Sequence, residues 1–165
     1  MIKLFLTDMD GCLTDGCNIV SEVDGRRSKQ FNTKDFFGLR KLHESGVEVG
    51  VLTNDNSSAL DHQIERVGRY IKCFKHVKDK LEFVHQEYVM PGTYGWDEIA
   101  YIGDEELDIP LLKKVGWAAC PRDAVSRVIE VVSGMPDGIV LELDGGRGCV
   151  REFAELVLFH ENNNL

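Results

Sequence analysis

Short apolar runs alternate with amphipathic helical patterns along most of the chain, and this alternation restricts the fold more than any other feature. The first run, over residues 3–7, is bounded by Asp8 and Gly11 and predicts a buried strand. A helical pattern over 35–45 and a second apolar run over 47–52 follow it. Strand–helix alternation of this kind predicts an α/β fold with a Rossmann-like, doubly wound, mostly parallel sheet covered by helices on both faces.

The remaining elements continue this order. They are strands over 71–74, 99–102 and 117–119, an edge strand over 139–143, and helices over 57–67, 78–88, 107–115, 124–132 and 150–159. The pattern breaks between the first strand and the first helix, where extended runs over 18–21 and 27–31 flank Asp24-Gly25, which predicts a projecting β-hairpin. We find no repeat or linker in the sequence, so we expect a single domain over residues 1–165.

Charge and cysteine usage exclude several classes of protein. The formal net charge is −9, so a basic surface for nucleic acid is missing and an anionic membrane would repel the chain. Apolar runs do not approach the ~20 residues of a membrane span. The number of cysteines is odd, at five, and none form a C-x-x-C pair, which argues against a disulfide framework or a zinc knuckle. Free thiols suit a reducing compartment, and we expect a cytoplasmic protein.

Polar side chains follow four of the predicted strands. In open parallel sheets, ligands bind beyond the carboxyl ends of the strands. The residues that come after the strand ends, or open the helix that follows, are Asp8, Asp10 and Gly11, then Thr53 and Asn54, then Lys80, and finally Asp104, Glu105 and Asp108. These residues should therefore converge at one edge of the sheet.

The converging residues divide into two chemical sets. Asp8, Asp10 and Asp104 would repel one another when packed together. Mg²⁺ resolves this repulsion, because it prefers oxygen ligands and leaves coordination positions for water and substrate phosphate. Thr53, Asn54 and Lys80 are hydrogen-bond donors that suit phosphate oxygens, and together the two sets predict a phosphoryl-transfer site.

The segment Asp8-Met9-Asp10-Gly11-Cys12-Leu13-Thr14-Asp15-Gly16 resembles the signature of haloacid dehalogenase superfamily phosphatases. More narrowly, the chain resembles the cap-less group of 3-deoxy-D-manno-octulosonate (KDO) 8-phosphate phosphatases. It is also similar to nine-carbon ulosonic acid (KDN or acylneuraminate) 9-phosphate phosphatases and to the C-terminal domain of animal CMP-sialic acid synthetase. The resemblance runs almost end to end, through 31–35, 79–80, 101–104, 114–116, 145–148 and 150–153.

The resemblance implies a role for each matching residue. Asp8 would be the nucleophile that forms an aspartyl-phosphate, and Asp10 would be the general acid and then the general base. The metal site would comprise Asp8, Asp104 and the backbone carbonyl of Asp10. Thr53 would bind the phosphoryl group, Lys80 would offset its charge, and Asp108 would orient Lys80. Asn54 and Lys34 are further candidates for binding phosphate or substrate.

The resemblance also implies an assembly. The intervals between the matched motifs are occupied by sheet elements, so no lid domain fits and the site would be open. In a homotetramer, neighbouring subunits would complete the walls of each site, so that it encloses a small phosphorylated sugar acid. The loop Gly145-Gly146-Arg147-Gly148 could then reach the site of a neighbouring subunit, where Arg147 would bind a substrate carboxylate through two hydrogen bonds. The alternative is a glycine turn with a solvated arginine.

Some positions depart from the family pattern. Asn54 and Asp55 follow Thr53 where the phosphatases usually have Gly and then Arg or Glu, and Phe36 stands where glycine is common. A carboxylate at Asp55 could exclude an acidic sugar or select one that carries an amide. The sequence does not decide between eight-carbon and nine-carbon substrates. A non-catalytic tetramerisation module is the alternative function, whereas a mutase or phosphonate hydrolase is disfavoured because a lid and a second base are missing.

Overall fold

Six parallel strands form the central sheet of the computed structural model, which describes residues 1–163, with side chains to residue 160. The strands are β1 (Leu4–Asp8), β4 (Glu48–Leu52), β5 (Ile71–Phe74), β6 (Ile99–Ile102), β7 (Trp117–Cys120) and β8 (Gly138–Val140). Their order is β5-β4-β1-β6-β7-β8, and each neighbouring pair is parallel. The predicted doubly wound α/β fold is confirmed.

Helices cover both faces of this sheet. They are α1 (Thr33–Glu44), α2 (Ala59–Val67), α3 (Lys80–Val84), α4 (Ile109–Leu112), α5 (Ser126–Ser133) and α6 (Cys149–Asn163). Successive residues of a strand point to opposite faces, and β1 is buried on both. Phe5 lies in the core cluster that includes Leu39 and Phe153, whereas Leu4 and Leu6 lie in the cluster on the other face.

Helix α2 begins later than the sequence pattern predicts. The expected start at Ser57 is wrong, because Asp55 and Ser57 use their side chains to cap a turn. The Asp55 carboxylate accepts the N–H of Asn56 and of Ser57, and the Ser57 hydroxyl accepts the N–H of Ala59. Helix α2 therefore begins at Ala59, after the turn that these side chains cap, rather than directly beyond Asn54.

The predicted hairpin is present but shorter than its sequence pattern. Strands β2 (Ile19–Val20) and β3 (Arg27–Ser28) pair antiparallel and are exposed. The hairpin is the insertion that separates β1 from α1. Among residues 1–163, no helix is long and apolar enough to cross a membrane.

The strand order fixes where a site can form. Strand β1 lies between β4 and β6, and the chain winds outward from it in both directions. Beyond its carboxyl end lies the switch point of the sheet, where ligands bind in doubly wound folds.

Candidate active site

A cavity of about 310 Å³ opens at this switch point. Its walls contain Asp8 from the end of β1, Thr53 from the end of β4 and Asp104 from beyond β6, as the sequence predicts. Its full lining is Asp8, Asp10, Gly16, Thr53, Asn54, Asp55, Val77, Lys78, Lys80, Asp104, Glu105 and Leu107. The structure therefore brings together seven predicted polar residues from four separate segments of the chain.

Gly11 allows the loop after β1 to pack against Asp104. Its φ is +87°, and a Cβ at this position would lie 1.9 Å from Oδ2 of Asp104. A side chain here would have to displace the carboxylate, and the left-handed backbone would disfavour it as well. The glycine of the motif is thus a steric requirement of the site.

A buried ion-pair network lies at the base of the cavity. The Lys80 ammonium is 2.8 Å from Oδ1 of Asp8 and 2.6 Å from Oδ1 of Asp108. The Tyr101 hydroxyl donates to the same Asp108 oxygen at 2.6 Å and accepts from Lys80 at 3.1 Å. Burial favours neutral Lys80, but the two carboxylates override it and raise the pKa of Lys80 above its ordinary value. Lys80 therefore stays charged beside Asp8.

Asp108 is held in place by donors on both of its oxygens. Besides Lys80 and Tyr101 on Oδ1, the N–H groups of Asp104 and Glu105 donate to Oδ2 at 3.0 and 3.1 Å. A carboxylate with this many donors is a structural anchor. The arrangement supports the predicted role of Asp108 in orienting Lys80.

The carboxylates of the site suit a divalent cation. Oxygen atoms of Asp8, Asp104 and Asp108 lie within 4.8 Å of one another. Burial, with the nearby charges of Asp8 and Asp108, raises the pKa of Asp104 to about 8, and burial raises that of Asp8 to about 6 despite Lys80. A cation between Asp8 and Asp104 would offset the excess negative charge, and an all-oxygen donor set fits Mg²⁺. Because Asp108 already accepts four donors, Asp8 and Asp104 are the better ligands.

The predicted phosphate ligands after β4 also face the cavity. Thr53 is buried, and its hydroxyl accepts the N–H of Asp55 at 3.0 Å. Asn54 is exposed and contributes to the same wall. Both positions agree with the predicted contact to a phosphoryl group.

Lys34 and Arg147 lie elsewhere. Lys34, in the first turn of α1, lines a separate surface groove with Phe37 and Arg151. Arg147 has a side chain that is 67% exposed and lies 4.0 Å from Asp15. Neither residue lines the cavity within the single chain, so a substrate contact by Arg147 would require a neighbouring subunit.

The glycine loop that carries Arg147 packs on the loop after β1. The N–H of Gly146 donates to the carbonyl of Cys12 at 2.8 Å, and a Cβ on Gly145 would lie 2.1 Å from the carbonyl oxygen of Gly11. The loop therefore supports the turn that follows Asp8, a role that the sequence did not suggest.

Lys29 is a site residue that sequence reasoning missed. Its ammonium contacts Oδ1 and Oδ2 of Asp10 at 2.5 and 2.6 Å, and it lies 2.7 Å from Oδ2 of Asp55. Arg27 also reaches Asp55, at 3.5 Å. Asp55 is therefore neutralised by two hairpin cations rather than presenting an unpaired charge to an acidic sugar. In the sequence, the available signal for this role was the position of Lys29 shortly before residues 31–35, which match the family pattern.

Comparison with known proteins finds relatives that match most of the chain. No family model matches the chain. A 3-deoxy-D-manno-octulosonate 8-phosphate phosphatase of Haemophilus influenzae is 31% identical over 95% of this chain and 83% of its own length. N-acylneuraminate cytidylyltransferase B of Danio rerio is 29% identical over 95% of this chain, and the match spans only 36% of that longer protein.

Solved structures show the same relationship. A KDO 8-phosphate phosphatase of Moraxella catarrhalis, in complex with magnesium, phosphate and KDO, superposes with a TM-score of 0.87 at 28% identity over 98% of this chain and 88% of that one. A Legionella pneumophila chain described as a haloacid dehalogenase superfamily (subfamily III A) hydrolase gives a TM-score of 0.85 at 32% identity over 98% of this chain and 84% of that one.

Proposed function

The chain belongs to the KDO 8-phosphate phosphatase family of the haloacid dehalogenase superfamily, and from this membership we propose that it is a Mg²⁺-dependent phosphatase of a phosphorylated 2-keto-3-deoxy sugar acid. The observation that carries the proposal is the pairing of Asp8 with buried Lys80 beside Asp104 and Thr53 in one cavity. This arrangement supplies a nucleophile, a cation for developing charge, a metal ligand and a phosphate donor.

The reaction uses the residues of the chain in two displacements. The Asp8 carboxylate attacks phosphorus, the ester P–O bond breaks, and its electron pair goes to the leaving oxygen, which takes a proton from Asp10. Asp10 then accepts a proton from water, whose oxygen attacks phosphorus and releases Asp8 and inorganic phosphate.

Lys80 and Thr53 hold the phosphoryl oxygens during both steps. Mg²⁺ held by Asp8 and Asp104, with the carbonyl of Asp10, would supply electrostatic stabilisation of the phosphoryl charge when bound.

Replacement of the nucleophile tests the proposal. We expect Asp8→Asn to reduce Mg²⁺-dependent phosphate release by more than about 1,000-fold, because an amide cannot form the phosphoenzyme. The substrates are KDO 8-phosphate, KDN 9-phosphate and N-acetylneuraminate 9-phosphate, and circular dichroism checks the fold. Wild-type turnover by this variant would refute the mechanism. The substrate with the highest kcat/KM decides between the eight-carbon and the nine-carbon class.

We also propose that the protein is a cytoplasmic homotetramer with sites at subunit interfaces. The support is that the Arg147 side chain is 67% exposed and is not among the described residues that line the cavity of its own chain. Sedimentation analysis tests the assembly, and an Arg147→Ala variant with unchanged KM would remove the proposed contact across subunits.

A non-catalytic tetramerisation module is the second candidate. It is favoured by the match to the cytidylyltransferases, of which the chain spans about a third. The complete set of Asp8, Asp10, Thr53, Lys80 and Asp104 favours the enzyme instead. Stable tetramers without turnover of any phosphate ester would establish the module.

A further inference from the structure

The ammonium group of Lys29 occupies an unusual place for a hairpin residue. The hairpin around it is exposed, with Val23 97% exposed at its turn, whereas the Lys29 side chain is 2% exposed. Taking an ammonium out of water is unfavourable unless charged partners compensate. The position of this side chain is therefore set by the groups that it contacts.

Those groups are two carboxylates that come from different parts of the chain. Lys29 contacts both oxygens of Asp10 and one oxygen of Asp55. The Thr14 hydroxyl adds a hydrogen bond of 3.1 Å to Oδ1 of Asp10. These contacts hold both oxygens of the Asp10 carboxylate and so fix its χ2 torsion angle, which is otherwise broadly distributed in aspartate.

Asp55 is a rigid anchor for Lys29. Its Oδ1 accepts the N–H of Asn56 at 2.7 Å and of Ser57 at 3.2 Å, and its own N–H donates to Thr53. Its Oδ2 is left to face Lys29. Because these bonds lie within one short loop after β4, Asp55 holds the ammonium at a fixed point.

Lys29 itself does not reach the substrate space. Asp10 and Asp55 both line the cavity, whereas Lys29 is not one of the described residues that line it. Its effect on a bound ligand must therefore pass through the carboxylates that it holds.

We propose that Lys29 is a positioning residue for Asp10, anchored by Asp55, that aims the proton-transferring carboxylate at the leaving-group oxygen. The inference rests on the proposed function. Asp10 gives a proton to the departing oxygen as the ester P–O bond breaks, and later takes one from the attacking water. Both transfers need the carboxylate within hydrogen-bond reach of the correct oxygen.

A comparison of leaving groups tests this role. An alkyl sugar-acid phosphate needs a proton on its leaving oxygen, whereas p-nitrophenolate departs as an anion. For Lys29→Met we expect kcat/KM for the alkyl ester to fall by about 100-fold and that for p-nitrophenyl phosphate by less than about 5-fold. We also expect a stoichiometric burst of p-nitrophenolate, because misdirected Asp10 would slow hydrolysis of the phosphoenzyme.

Matched variants separate positioning from folding. Arg26→Met removes a cation from the same hairpin that is 86% exposed and paired with Asp24, and it should leave both esters unaffected. Asp55→Asn keeps the ammonium but weakens its anchor, so it should lower the alkyl-to-aryl ratio of kcat/KM in the same direction by a smaller factor. This variant decides the question if Lys29→Met fails to fold.

Equal losses for both esters without a burst, in Lys29→Met or Asp55→Asn, would overturn the inference and leave the phosphatase assignment standing. If the wild-type protein hydrolysed neither ester, the proposed function would fail, and the inference with it.

Discussion

At the scale of single residues, the carboxylates of the site differ in how far their charge is balanced by neighbours. Asp108 is saturated by four donors, and Asp8 pairs with Lys80. No ion pair among the described side chains involves Asp104, and burial together with the charge of Asp8 raises the pKa of Asp104 to about 8, above the value of about 6 for Asp8. Three carboxylates thus face the single ammonium of Lys80, and a divalent cation beside Asp104 would offset the excess negative charge.

Gly11 gives a prediction at this scale. Gly11→Ala places a methyl group on the Asp104 carboxylate, so we expect kcat to fall by at least about 100-fold and the protein to lose about 1 to 3 kcal/mol of stability. Phosphate release and urea unfolding measure the two effects. Gly25→Ala is the control, because its φ of +67° is also left-handed but no atom lies within 4 Å of the new Cβ. Equal activity losses in both variants would contradict the steric argument.

At the scale of elements, Asp35 joins two helices that pack behind the site. It lies in the first turn of α1, and its Oδ1 accepts the N–H of Arg151 in α6 at 2.8 Å. Its Oδ2 is buried and, among the described atoms, has no hydrogen-bond partner. Burial raises the pKa of Asp35 to about 6, despite the backbone donors of α6. The junction of α1 and α6 therefore favours the protonated acid.

The sign of the pH dependence follows from this shift. Because the native pKa lies above the unfolded value, the native state binds more protons between about pH 4 and 6, and wild-type stability falls as pH rises through this window. We expect Asp35→Asn to remove about 2 to 3 kcal/mol of this change. Urea unfolding of both proteins from pH 4.5 to 7 gives the difference directly. Parallel stability curves would show that Asp35 is not the group responsible.

At the scale of the whole molecule, the sheet topology assembles the site. Strands β4, β1 and β6 are neighbours in space but are separated in sequence by helices and by the hairpin. Residues at their carboxyl ends must therefore meet, which places Asp8, Thr53 and Asp104 in one cavity of an acidic protein with net charge −9. Negative charge concentrated in this way opposes folding until a cation binds.

Metal binding should consequently stabilise the whole fold. At a Mg²⁺ concentration 100 times its Kd we expect about 2.7 kcal/mol of added stability, which corresponds to a rise in Tm of roughly 5 to 10 °C. Differential scanning fluorimetry with Mg²⁺ and with EDTA measures the shift. The Asp104→Asn variant should lose most of this shift in Tm, whereas Asp97→Asn, at an exposed position, should keep it. A full shift in Asp104→Asn would place the ion elsewhere.

The sequence by itself determined the fold class and the acidic and donor residues at the strand ends. It could do so because buried parallel strands carry a continuous apolar pattern, and their carboxyl ends must lie on one edge of the sheet. Asp8, Thr53, Lys80 and Asp104 were therefore predictable from their positions after the strands. Gly11 was also predictable, although its contact with Asp104 was not.

Only the tertiary structure decided which charges pair across elements. The hairpin direction brings Lys29 to Asp10 and Asp55, and the rotation of α1 sends Lys34 to a separate groove. Local pattern encodes whether a residue lies on a helix or a strand, whereas ion pairs between distant segments depend on how a turn aims the chain. This is the physical reason why Asp55 looked like an unpaired charge in the sequence and is paired with Lys29 in the fold.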